Sequence, residues 1–418
     1  MPKRRRWTPV KGETSRVYDP LERALLGAAD AVGRVGFGAL AWLWPPPGQA
    51  ADPRPVREVL VLRLDRIGDV IMSLPALAEL RAALPDARVR LAVGRWSAEI
   101  AESAPVNEVL VWSAPWVGRP DEGAESFAAL LAKAASLRRH SLDLAIDLQG
   151  DVRASLLLWR SGAKKRVGYA NTGGRYLLSD VVALDETVSW VEQNRRAVAC
   201  ALGRAPVPAA RLPVLTEQDR DFAGRLIENR GLEHQRPLVA IHPSGGRRIK
   251  QWPVSRWREV AARLQRDFGA TILITGSAKD APLAGELSRG LERRPIDLTG
   301  RLALRETLAL LERLDLVLSP DTGAMHMACA VDSPSVSVFG PSDPVRYFSG
   351  GGGQTGTRHV VVRAELWCAP CNLIRKPPTE CARAEAPECL ALVSVDAVYR
   401  EAAAMLAGTS GFASKGAP

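Results

Sequence analysis

Val59–Leu84 reads VLVLRLDRIGDVIMSLPALAELRAAL. Its first four residues are apolar without alternation, as in a short strand buried on both faces. A polar loop, Arg63 to Asp69, follows. From Val70 to Leu84 apolar positions recur every three or four residues, which is helical spacing. The order is strand, loop, helix, and the loop leaves from the C-terminal end of the strand. Open α/β sheets bind their ligands at that end.

The same alternation continues C-terminal to this stretch. Val89–Val93 and Val109–Trp112 are the next strand candidates, Phe127–Arg138 is helical, and Leu142–Ile146 is another strand. A second series begins after Arg204–Leu215, a segment containing three prolines. It comprises helix Glu217–Arg230, strand Leu238–Ile241, helix Ser255–Phe268, strand Thr271–Ile274, helix Arg305–Arg313, and strands Leu316–Leu318 and Val336–Phe339. Strands alternating with helices define an α/β protein with parallel sheets covered on both faces. At 418 residues the chain exceeds what one core usually organises, so two domains are expected. The expected boundaries are an N-terminal extension and Pro-rich linker over residues 1–55, a first domain over 56–215 and a second over 216–418. The helical stretch Val395–Leu406 can pack on either, and Gly350–Gly353 reads as a loop.

The formal net charge is +10, which favours an acidic partner: nucleic acid, anionic lipid or a phosphorylated substrate. No recognition helix, zinc finger or RNA-binding signature accompanies the charge, so nucleic acid ranks last. The N-terminus carries Lys3-Arg4-Arg5-Arg6 and then an apolar run, Ala24–Trp44, broken by Asp30 and Arg34 and by four glycines. The run is too interrupted for a spanning helix. Pro45-Pro46-Pro47 follows it where a signal peptide would have a small-residue cleavage site. One reading is a helix in residues 1–44 lying on the inner leaflet, with Trp42 and Trp44 at the interface. Others are a helix packed on the body or a disordered tail. Cys200 and Cys329 sit in apolar surroundings and read as core. Cys368, Cys371, Cys381 and Cys389 cluster near the C-terminus. Zinc, disulfides and free thiols are all open for them, since Cys-x-x-Cys alone does not choose. The otherwise cysteine-poor chain fits the cytoplasm.

Three loops carry candidate chemistry. In Arg63–Val70, Asp69 is either a helix cap or a general base that takes a proton from an attacking hydroxyl; Gly68 suggests a tight turn. His242–Pro253 (HPSGGRRIKQWP) joins a strand to a helix. Ser244, Gly245 and Gly246 can offer backbone N–H groups to phosphate, and Lys250 adds charge; a solvated basic loop is the alternative. Leu316–Ala328 (LVLSPDTGAMHMA) is a strand, a polar turn and a small-residue helix. Gly323 permits close approach, Thr322 and the helix N-terminus suit a phosphate or ribose, and His326 is either a core histidine or a ligand contact. No Walker A or Gly-x-Gly-x-x-Gly is present, against ATPase and dinucleotide chemistry.

Together with Asp147–Gly168 (DLQGDVRASLLLWRSGAKKRVG) and Ile274–Asp280 (ITGSAKD), these segments resemble glycosyltransferase family 9, the lipopolysaccharide heptosyltransferases, in order and spacing. The resemblance covers roughly residues 57 to 400, close to the whole body at ordinary domain sizes. It implies a GT-B fold: two Rossmann-like domains with parallel sheets facing across a cleft, acceptor on the first and donor on the second. By position it makes Asp69 the base and Lys250 the cation facing the donor phosphates. Ser244, Gly245 and Gly246 become the phosphate loop, and Asp321, Thr322, Gly323 and His326 the donor loop. Arg66, Gln149 and Arg153 fall on the acceptor side, as does the Lys164-Lys165-Arg166 cluster. Where some heptosyltransferases carry threonines in the phosphate loop, this chain has Ser-Gly-Gly.

The implied reaction is inverting transfer of a sugar, with ADP-heptose the family's best-known donor, to an anionic lipid-linked glycan at the cytoplasmic face. No cofactor or metal is required. The sole Asp-x-Asp, Asp219-Arg220-Asp221, lies in an expected surface helix away from a strand end. A sugar-nucleotide epimerase and an inactive glycolipid-binding GT-B scaffold are the rival functions; the match at Asp69 weighs against the first, Asp69 and Lys250 together against the second.

Overall fold

A computed structural model describes residues 55–117, 123–205, 214–349, 358–371, 381 and 387–413, with residues 24, 27–28, 31–33 and 35–36. Most of the proposed membrane-surface helix in residues 1–44 therefore lies outside the described residues, as does Gly350–Gly353. Among the described residues no helix is long and apolar enough to cross a membrane.

Two six-stranded sheets carry the fold, and every strand pair in them is parallel. The first contains β1 (Glu58–Arg63), β2 (Arg88–Val93), β3 (Glu108–Val111), β4 (Leu144–Asp147), β5 (Lys165–Gly168) and β6 (Asp180–Val181), in the order 3-2-1-4-5-6. The second contains β7 (Leu238–Ile241), β8 (Thr271–Ile274), β9 (Ile296–Asp297), β10 (Leu316–Pro320), β11 (Ser335–Phe339) and β12 (His359–Arg363). Its order is 12-11-10-7-8-9, which repeats the topology of the first. Strand order reverses between β1 and β4 in one sheet and between β7 and β10 in the other. Loops on either side of such a reversal part and leave a crevice at the strands' C-terminal ends.

Four helices position what lies there: α1 (Ile67–Ala83), α2 (Trp190–Leu202), α3 (Leu304–Glu312) and α4 (Gly323–Ala330). Helix α1 begins three residues before the expected Val70 because Asp69 caps it from inside its first turn, its Oδ2 accepting the Arg66 N–H at 3.1 Å. Pro75 lies within α1 and does not end it. The buried core around α1 includes Val70, Ile71 and Leu77 from the first half, and Ala324, Met327 and Ala328 of α4 from the second. The halves thus share one apolar core at the level of the crevices. A separate core lies under the second sheet, where Trp252 and Trp257 meet edge to face at 4.6 Å. Val398, Ala402 and Leu406 join it, so the C-terminal helix Val395–Ala413 packs on the second sheet.

A polar clamp also joins the halves. The Glu99 carboxylate accepts the Leu304 and Arg305 N–H groups at 2.9 and 3.2 Å, placing an anion on the positive end of α3. Arg305 donates to Ser103 Oγ at 2.7 Å and pairs with Asp219. Asp219 of the Asp-x-Asp motif is therefore committed to structure, and it also caps its own helix through Thr216.

Candidate active site

The segments after β1, β4, β7 and β10, loops and the first turns of the helices they enter, flank the two strand-order reversals and contain the candidate site residues other than the Lys164–Arg166 cluster. Asp69 and Arg66 follow β1; Gln149 and Arg153 follow β4. Ser244, Gly245, Gly246 and Lys250 follow β7, and Asp321 to His326 follow β10.

On the first sheet, Asp69 keeps 23% of its side chain exposed while both carboxylate oxygens are anchored. Oδ2 accepts the Arg66 N–H, and Oδ1 lies 3.4 Å from the Arg63 guanidinium. Capping and base readings are compatible, since a cap that stays open to the crevice can still receive a proton. The Arg66 guanidinium lies over Trp96 at 4.9 Å and donates to the Val117 carbonyl at 2.7 Å. Arg153 lies over Trp116 at 4.8 Å and is gripped at both ends by Asp151. Gln149 differs from expectation. It is buried and donates its amide to Asp65 Oδ1 at 2.8 Å, so it braces the β1 and β4 loops against each other.

Sequence reasoning missed Asp147, the last residue of β4. It is fully buried, and its oxygens accept the Gln149 and Gly150 N–H groups at 2.8 and 3.1 Å. Burial pushes its carboxyl up to about 7 against those hydrogen bonds, helped by the charges of Asp151 and Asp65. Its place at a strand end before Gln-Gly was the available signal. The Lys164–Arg166 cluster sits at the opposite end of the sheet, where β5 begins. Lys164 pairs with Asp143, and Arg166 donates to the Leu177 and Ala163 carbonyls, so these cations tie chain segments together away from the crevice.

On the second sheet, Lys250 Nζ lies 2.6 Å from Asp321 Oδ2, with Asp321 buried and Lys250 half-buried. Burial disfavours the Asp321 charge, but Lys250 foremost, with Ser342 and His326, outweighs it and holds the carboxyl below its usual range. Gly245 is needed sterically: a Cβ there would lie 2.6 Å from the Gln251 nitrogen and the Lys250 carbonyl carbon, where the loop folds on itself. Ser244 Oγ accepts the Gly246 N–H at 3.3 Å, and Thr322 Oγ1 caps α4 through Ala324.

The two crevices meet at His326. Its ring lies against Gly68, where an added Cβ would come 2.3 Å from Cδ2 and 2.7 Å from Nε2. The glycine is therefore required for this approach across the halves and not for the tight turn read from the sequence. Gly323 faces Ile67 in the same junction at ordinary contact distance. The His326 Nδ1 lies 3.0 Å from Ser349 Oγ. Burial pushes its imidazole down to about 4, although Asp321 and Asp69 pull the other way.

This has a pH consequence. The unfolded chain takes up the proton near pH 6.5, the folded chain only near 4. Folding stability should therefore fall as pH drops through that window, by about 3 kcal/mol in full, at about 1.4 kcal/mol per unit. Urea melts at pH 7 and pH 4.5 should show a smaller loss for His326→Gln than for wild type; equal losses would contradict the assignment.

Three further residues escaped the sequence reading. Arg63 is 1% exposed in the core beside Asp69. Trp190, the first residue of α2, has the Arg63 guanidinium 5.7 Å from its ring centre. Arg346, from the segment after β11, reaches the same ring at 5.2 Å and lies 3.6 Å from Glu186. Nothing local marks any of the three.

Cys329 is buried with Met325, Phe339 and Phe348, and Cys200 is half-buried. No disulfide joins any of the six cysteines in this structure. Burial, with Cys371, Cys381 and Cys368 nearby, pushes the Cys389 thiol up to about 12. No group of three or more potential ligands is arranged for a metal among the described residues.

Two doubly wound sheets meeting at their reversal points, with a carboxylate on one and a cationic phosphate-type loop on the other, have the architecture of a GT-B glycosyltransferase. Comparison with known proteins agrees. The profile of glycosyltransferase family 9 (heptosyltransferase) matches residues 130–380, and the chain belongs to that family. It is 29% identical over 324 residues to lipopolysaccharide heptosyltransferase 1 of Pseudomonas aeruginosa, covering 75% of this chain and 85% of that protein. It is 26% identical over 299 residues to lipopolysaccharide heptosyltransferase 2 of Salmonella typhimurium, covering 69% and 84%. The solved structure of E. coli ADP-heptose lps heptosyltransferase II superposes with a TM-score of 0.66 at 22% identity, over 84% of this chain and 99% of that one.

Proposed function

We propose that this glycosyltransferase moves a heptose from ADP-heptose onto a lipopolysaccharide core acceptor, with inversion and without a metal. The observation that carries the reading is that Asp69 and the Lys250–Asp321 pair stand at the two reversal points, which join through Gly68 and His326. The names of the relatives supply the sugar and the acceptor class.

In this mechanism Asp69 takes the proton from an acceptor hydroxyl as its oxygen attacks the anomeric carbon from the face opposite the leaving group. The bond from that carbon to the diphosphate breaks, and its electron pair leaves on a phosphate oxygen of ADP. Lys250 and the N–H groups of Ser244 and Gly245, joined by that of Gly246 once it leaves Ser244 Oγ, stabilise that growing charge, which preorganised donors do effectively in a water-poor site. Arg66 on Trp96 and Arg153 on Trp116 present cations with flat apolar faces, suited to an anionic sugar. A nucleotide-sugar donor places the reaction in the cytoplasm, and a lipid-linked acceptor at its membrane face.

Incubating the enzyme with ADP-heptose and heptose-deficient lipopolysaccharide, with and without EDTA, tests this directly. The expected product carries one added heptose of inverted anomeric configuration, formed at the same rate in both samples. Retained configuration, loss of turnover in EDTA, or no transfer from ADP-heptose would each reject the corresponding part.

A further inference from the structure

Strand β1 alternates its side chains between two cores. Val59 and Val61 face the core containing α1 and α2, while Leu60, Leu62 and Leu64 face the other. By that alternation position 63 falls on the α1 side, where packing alone would call for another aliphatic residue. A guanidinium is there instead, 1% exposed. Burying such a cation is costly unless its hydrogen bonds are met. They are met by the loops that build the first crevice. Nε donates to the Asp69 carbonyl at 3.2 Å, and one terminal nitrogen lies 3.4 Å from Asp69 Oδ1. The other donates to the Leu148 carbonyl and lies 3.6 Å from Asp65 Oδ2. The Trp190 ring lies alongside.

We infer that Arg63 is the positioning residue of the transfer reaction, fixing the Asp69 carboxylate in place from inside the core. The inference rests on the proposed role of Asp69 as base. Arg63 holds both the backbone and one carboxylate oxygen of Asp69, and the Arg66 N–H holds the other oxygen. The carboxylate can then neither rotate nor retreat, and its open edge is left to the acceptor hydroxyl. A side chain so placed contributes to kcat and not to donor binding, because the phosphate loop is on the other sheet.

Arg63→Lys keeps the charge and loses the fork; Arg63→Gln keeps a hydrogen-bonding group and leaves no buried cation, should lysine prevent folding. Both are assayed beside Asp69→Asn, with melting temperature and ADP affinity by calorimetry as controls. The expected result is a fall in kcat of about ten- to a hundredfold for Arg63→Lys, more for Arg63→Gln, with the KM for ADP-heptose and the affinity for ADP within about twofold of wild type. A purely structural role would lower the melting temperature and the active fraction while leaving kcat per folded molecule unchanged. Folded Arg63 variants with wild-type kcat beside an inactive Asp69→Asn would overturn the positioning role and leave the base in place. An active Asp69→Asn would overturn the base itself, and the positioning role with it.

Discussion

Asp69→Asn should lower kcat by about 1,000-fold, within the range that a positioned general base supplies. Asparagine keeps the shape of the side chain and can still present one oxygen to the Arg66 N–H, so the start of α1 should survive. What it loses is the capacity to accept the acceptor's proton. Because Asp69 belongs to the first sheet and the phosphate loop to the second, ADP should bind the variant as it binds wild type. Single-turnover rates at saturating ADP-heptose, paired with calorimetry of ADP, separate the two effects. Turnover near the wild-type rate would remove Asp69 as the base. An equal loss of ADP affinity would show instead that the substitution had disturbed the junction with His326.

The fold was legible where strands are apolar. Val59–Leu62 and Leu238–Ile241 are buried on both faces, and an unbroken aliphatic run is the mark of that burial. Most of the missed strands carry little of it; β12, with Val360 to Val362, is the exception. Beta-6 and β9 are two residues each, and β5 reads Lys-Arg-Val-Gly. Beta-6 and β9 are sheet edges, where one side of the ladder lacks a neighbour, and β5 pairs with the two-residue β6 on one side. The β12 strand is a sheet edge as well, and follows the glycine run. The loops of the site were legible for a different reason: they follow recognisable strands, and the order of the strands brings them together. Which side chains meet across them was not. Gly68 looked like a turn residue until His326 stood against it, and Gln149 looked available until Asp65 claimed its amide. Arg63 and Asp69 are six residues apart, and their contact depends on the chain reversing from β1 into α1. Such pairings are properties of the assembled sheets and leave no local pattern.

Lys250 offers the second large effect, because it is asked to do two things. In the proposed mechanism it meets the donor phosphates, and in the structure it neutralises Asp321, which is buried. Lys250→Met should therefore lose activity by about 100- to 1,000-fold, the scale for removing one preorganised donor to developing charge. It should also lose about 3–5 kcal/mol of stability, the usual cost of leaving a buried charge without its partner. The sign of the pH dependence identifies the cause. With Lys250 present, the Asp321 carboxyl sits below its usual range, so its contribution holds above the unfolded pKa near 3.8 and fades as pH falls through the folded value. Without Lys250, burial is opposed only by the smaller influences of Ser342 and His326 and favours the neutral acid. The variant should then lose stability as pH rises above about 4, the unfolded value for an aspartate, and regain it in acid. Lys250→Met combined with Asp321→Asn removes both charges and should recover most of the stability at pH 7. Activity should not return with it, since no cation then faces the departing diphosphate. Denaturant melts at pH 5 and pH 8, beside kcat for the single and double variants, separate the structural use of the pair from its chemical use. Recovery of kcat in the double variant would mean that Lys250 serves only to neutralise Asp321, and that the leaving group is stabilised by the backbone of Ser244 to Gly246 alone.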